Sequence, residues 1–96
     1  MATSNIPLII DWTTVRTLES GSNMNDLVNV SDSGLWYIRN NVTGAPGSYM
    51  MAFCICSPLG VCIQVGLDQV TAGGKIYIRK KLNDQSWMSW KTLTIS

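Results

Sequence analysis

Ninety-six residues set a ceiling of one domain. Hydrophobic residues make up 46% of the chain and charged residues 14%, a balance that excludes a disordered polymer. Seven Lys and Arg against six Asp and Glu give a net charge of +1, without the basic excess that nucleic-acid binding needs.

Taken in chain order, the first seven residues read as a polar tail ending at Pro7. Leu8 to Thr17, with Trp12, Val15 and several Ile and Thr, suit a strand or extended arm. Glu19 to Asn25 is a loop by composition, and Asp26 to Ser33 a short turn or strand. From Gly34 the β signal strengthens: Gly34 to Arg39 follows a polar turn and reads as a strand. Asn40 to Ser48, with two Asn, two Gly and Pro46, is a loop. Tyr49 to Cys56 is apolar throughout, the pattern of a strand buried on both faces. Ser57-Pro58-Leu59-Gly60 is a turn, with Pro preset for its second position.

Val61, Ile63, Val65 and Leu67 then alternate with Cys62, Gln64 and Gly66 in period two, which predicts a half-buried strand. After a turn at Gly73-Gly74, Lys75 to Lys81 alternates again. Asn83-Asp84-Gln85 is a third turn, and Trp87 to Ile95 the last strand. No segment shows a capped helical period. The expectation is an all-β fold, a small antiparallel β-sandwich-like domain over residues 24–96 with an extended N-terminal arm over residues 1–23. In a hairpin about Pro58, Ile55 would pair with Ile63 and Phe53 with Val65, all four on one face. If Trp36 and Ile38 join that face, Tyr37, Arg39, Gln64, Tyr77 and Arg79 fall on the other. Trp87 and Trp90, three apart on a strand, would point to opposite faces.

The residue inventory limits the chemistry. There is no histidine, so the commonest general base and metal ligand are missing, with every Ser-His or Cys-His pair. The six acidic residues sit in turn-like surroundings. No enzyme, cofactor or metal is expected. Cys54, Cys56 and Cys62 are an odd number. They read as small buried hydrophobes of a reducing compartment, with a Cys56–Cys62 cross-strand bridge as the alternative. The single basic cluster, Arg79-Lys80-Lys81, reads as a solvated strand end. Met1 to Ile10 carries no positive charge and only a short apolar run, so neither a signal peptide nor membrane insertion is expected. A domain this small buries only about 60% of its unfolded surface, so part of the apolar content is expected to meet another chain.

The order of features is similar to one known family. Asp26-Leu27 with Asn29 comes first, then Gly34 with Trp36-Tyr37-Ile38, and the loop Asn40 to Pro46. Met51 to Cys56, Val61-Cys62-Ile63-Gln64 and Ile76-Tyr77-Ile78-Arg79 follow. The set closes on Trp87-Met88-Ser89-Trp90-Lys91 with Leu93. Over residues 24–94 the chain resembles the knob domain at the tips of pyocin and bacteriophage tail fibres. It departs in carrying Cys and Met in the apolar strand, where small aliphatics are usual, and residues 1–23 are too short for a fibre shaft.

The resemblance implies a virion protein made in a bacterial host cytoplasm. It would be a homotrimer that adheres to host surface polysaccharide and contacts other phage structural proteins. Tyr37, Arg39, Gln64, Tyr77 and Arg79 are then the expected ligand-binding residues. Pro7, Leu8, Ile9 and Ile10 are the expected anchor to a virion or fibre partner. The alternatives are a structural virion component, such as a head fibre, capsid decoration or attachment adaptor, and a lysin's cell-wall-binding module.

Overall fold

A computed structural model describes residues 14–69 and 74–94. The expected anchor, Pro7 to Ile10, lies outside them, as do Gly73 and Ile95. Six strands form one sheet in sequential order: β1 (Val15–Leu18), β2 (Gly34–Ile38), β3 (Met50–Cys56), β4 (Cys62–Asp68), β5 (Lys75–Lys81) and β6 (Lys91–Thr94). The all-β class is as expected. The sheet is mixed: β1 runs parallel to β2, and every other pair is antiparallel. β1, inside the segment expected to be an arm, is thus the first strand of the sheet. Two single-turn 3-10 helices form here: Met24–Asp26 straddles the end of the stretch read as a loop, and Val30–Asp32 lies in the stretch read as a turn or strand.

The β3–β4 hairpin forms for local reasons. Pro58 fits the second turn position, and Gly60 takes a φ of +86° to close it. The Ser57 hydroxyl accepts from the backbone N–H groups of Leu59 and Val61. The register is the one the alternation predicts, Ile55 opposite Ile63 and Phe53 opposite Val65.

The choice of core face is a correction. The buried residues of β2, β3 and β4 are Gly34, Trp36 and Ile38, then Met50, Ala52, Cys54 and Cys56, then Cys62, Gln64 and Gly66. Trp36 and Ile38 stand opposite Ala52 and Met50, so they share the thiol face. Phe53, Ile63 and Val65 are only half-buried, and Ile55 is 46% exposed. β3 is therefore buried on one face, not two.

The reason lies in what covers the sheet. Its lid is loop backbone, including both 3-10 turns. Carbonyl groups pressed on a sheet need donors beneath them and small side chains that let them approach. The thiols of Cys54 and Cys56 face the Leu27 carbonyl oxygen at 3.7 and 3.5 Å, and that of Cys62 faces the Val28 oxygen at 3.5 Å. Gln64 Nε2 donates to the Met24 carbonyl at 3.0 Å. Gly66 sits under the Met50 methyl, which a Cβ would approach to 2.9 Å. Between these polar ties, Met24, Ile38 and Met50 are almost fully buried, each contributing about 1.5–3 kcal/mol. All three cysteines are unbridged.

At the β1 side, Arg16 lies over the Trp36 ring, 4.3 Å from its centroid. Its two terminal nitrogens donate to the Ser31 and Ser33 carbonyls, and Trp36 Nε1 donates to the Asp32 carbonyl at 2.8 Å. One cation–indole pair thus holds the second 3-10 turn on the sheet.

Candidate functional site

The Trp87-Met88-Ser89-Trp90 segment is where strand geometry fails. It follows the turn at Leu82–Gln85, and β6 begins only at Lys91. Its one strand-like bond to β5 runs from the Met88 N–H to the Lys80 carbonyl at 2.9 Å. Freed from a strand's alternation, Trp87 and Trp90 do not point to opposite faces. Both rings flank Arg79, whose guanidinium carbon lies 4.3 Å from the Trp87 centroid and 4.5 Å from that of Trp90.

Arg79 is 6% exposed. Its Nε donates to Gln64 Oε1 at 2.8 Å. Loss of hydration pushes its pKa down to about 10, so it remains a cation at neutral pH. No carboxylate faces it among the described residues. The charge is held by two indole faces and one amide oxygen, an arrangement suited to a planar, weakly hydrated cation. Each indole also ties down a loop: Trp87 Nε1 donates to the Asn25 carbonyl at 3.1 Å, and Trp90 Nε1 to the Gly44 carbonyl at 2.9 Å. Tyr77 packs edge-on to Trp90, with centroids 6.4 Å apart.

A solvent-open cleft of about 500 Å³ lies along this cluster. It is lined by Trp87 and Trp90, by Lys81, Ser86 and Ser89, and by the Asn25 and Gly44–Ala45 loops to which the indoles are tied. Lys81 Nζ donates to the Asn83 carbonyl, which holds the ammonium at that end of β5. Among the residues that line the cleft, Arg79 Nη2 and Asn25 Oδ1 are buried without hydrogen-bond partners.

Of the five residues expected to bind ligand, the structure brings three together. Gln64 and Arg79 are cross-strand partners, and Tyr77 is two residues along the same face. Gln64 and Arg79 are buried beneath the lid and position the tryptophans. Tyr37 pairs with Met51 on the opposite face. Arg39 lies just beyond β2, half-exposed, with its guanidinium 3.7 Å from the Glu19 carboxylate. Trp87, Trp90, Lys81, Ser86 and Ser89 were not foreseen as a site. The Trp-x-x-Trp spacing beside an Arg strand is the signal that could have found them. Among the described residues, no three His, Cys, Asp or Glu stand close enough to hold a metal.

Comparison with protein-family models, curated proteins and solved structures found no match to this chain.

Proposed function

We propose that this chain is a knob protein of a bacteriophage fibre that binds bacterial surface polysaccharide through the Trp87–Trp90 cleft, without catalysis. The observation that carries the reading is that cleft. Its indoles and hydroxyls come from the segment between β5 and β6, and its ammonium from Lys81 at the end of β5. Sugars are held by flat apolar ring faces combined with donors and acceptors for their hydroxyls. Trp87 and Trp90 supply the first, and Ser86, Ser89 and Lys81 the second. The order of residues from Asp26 to Leu93, which resembles the fibre-knob family, supports the same reading. A single open cleft of this kind gives weak binding, and several copies on one particle multiply it.

The test is binding to arrayed bacterial polysaccharides by the chain displayed in many copies on beads. The expected result is retention on a subset of polysaccharides, reduced tenfold or more by Lys81→Ala and Ser89→Ala, with circular dichroism unchanged. Retention on none, or retention indifferent to both substitutions, removes the reading. A structural virion component is the second reading. The uncovered apolar face of the sheet favours it, because such faces mark contacts with protein.

A further inference from the structure

The sheet has two faces, and the described residues cover only one. On the other, a cross-strand row of Val15, Leu35, Phe53, Val65 and Ile78 spans five strands. A second row, Tyr37, Met51, Leu67, Ile76 and Leu93, runs beside it. None of these side chains is buried. Val15 is 44% exposed, Ile78 39% and Leu93 59%. The charged residues of this face are Lys80 and Lys91, both at the β5–β6 side, and no acidic residue lies in either row. Beside them a groove of about 270 Å³ opens between Ile63, Ile78 and Met88. Water on so continuous an apolar surface is costly, and monomeric proteins rarely leave such a patch bare.

We infer that this face is the interface between copies of this chain, packed sheet against sheet. The size of the face argues for it. Six strands at about 4.8 Å spacing, the middle three seven residues long, make a face of about 500 Å² in plan. Two such faces together reach on the order of 1,000 Å², the threshold of a specific interface. The covering loops are already committed to the opposite side. One extended segment of the chain is about 5 Å wide and would leave most of a six-strand face bare. The chemistry also matches itself: an uncharged centre of Val, Ile and Phe meets its equal without leaving an unpaired charge, and the two lysines reach solvent from the edge. Facing sheets about 10 Å apart then form the sandwich that one copy lacks. The inference stands apart from polysaccharide binding, since neither apolar row contains a residue that lines the cleft, although Met88 borders both cleft and groove.

The experiment is light scattering on the full chain at tens of micromolar, with Ile55→Lys, Val65→Lys and Leu59→Lys beside it. The expected wild-type mass is that of two or more chains, against 10.6 kDa for one. Ile55→Lys and Val65→Lys should bring it to that of one chain, with the sheet's circular dichroism retained. Leu59→Lys, at a 79% exposed turn position, should leave the multiple unchanged. Ile55 is already solvent-exposed in a single copy, so its lysine variant folds even if Val65→Lys does not. A monodisperse single-chain mass for the wild type overturns the inference, as does a multiple that survives Ile55→Lys. Polysaccharide retention is scored separately, so either proposal can fail alone.

Discussion

Gln64 and Arg79 face each other across β4 and β5, and one amide serves two masters: its oxygen accepts from Arg79 Nε, and its nitrogen donates to the Met24 carbonyl. The pair links the sheet to the first 3-10 turn on one side and to both tryptophans on the other. Gln64→Ala leaves a buried cation and a buried carbonyl each short of a partner. The expected loss is about 2–4 kcal/mol of folding stability. Urea unfolding followed by tryptophan emission measures it, and a loss below about 1 kcal/mol would show that the bridge is not a structural tie.

Arg79→Lys is expected to behave as a disruptive change although it keeps the charge. Lysine has no planar face to lie between two indoles, and no Nε–H at the guanidinium position to reach Gln64. The expected cost is about 1–3 kcal/mol, with tryptophan emission shifted to longer wavelength as the rings loosen. An unchanged spectrum and denaturation midpoint would mean that the stack contributes nothing beyond packing.

Much of the sheet was legible in the sequence, and its sidedness was not. Strand positions, the Pro58 turn and the Phe53–Val65 register follow from period-two alternation and turn chemistry, which are local. Alternation separates two faces but does not say which is covered. In β4 the more hydrophobic set, Ile63, Val65 and Leu67, is the less buried one, because the opposite side is roofed by carbonyl-bearing loops. Those loops select Cys62, Gln64 and Gly66, which donate or make room. The cleft was hidden for a related reason. Reading Trp87 to Ile95 as one strand sends the two indoles apart, whereas the irregular segment before Lys91 turns both onto Arg79. That choice is made by Arg79 on the neighbouring strand, eight and eleven residues before the two tryptophans, and period-two alternation does not announce it.

Gly44 tests the loop that the second tryptophan holds. Its φ is +80°, and a Cβ there would come within 2.5 Å of Asn25 Oδ1. Gly44→Ala therefore meets both backbone strain and a clash, at the residue whose carbonyl accepts from Trp90. The expected cost is about 1–3 kcal/mol, and polysaccharide retention should fall with it because Gly44 forms part of the cleft wall. Calorimetric melting of the variant checks the first, and a melting temperature equal to wild type would refute it.

The thiols make the fold sensitive to alkaline pH. Burial raises the Cys54 and Cys56 pKa values above the ordinary value near 9, and the neighbouring Cys62 pushes Cys56 further in the same direction. The folded chain therefore keeps these protons where the unfolded chain releases them. Above about pH 9 the native state binds more protons than the unfolded state, so stability falls as pH rises. Below that pH both states hold the protons and the effect is absent. The midpoint of urea unfolding is expected to drop between about pH 8.5 and 10, and to drop less in a Cys54→Ala/Cys56→Ala double variant. The same burial predicts that a disulfide reagent at pH 8 reacts with these two thiols only after urea unfolds the chain. Rapid reaction of all three cysteines in the folded protein would show that the loop lid opens freely, and would contradict the placement of Leu27 and Val28 over them.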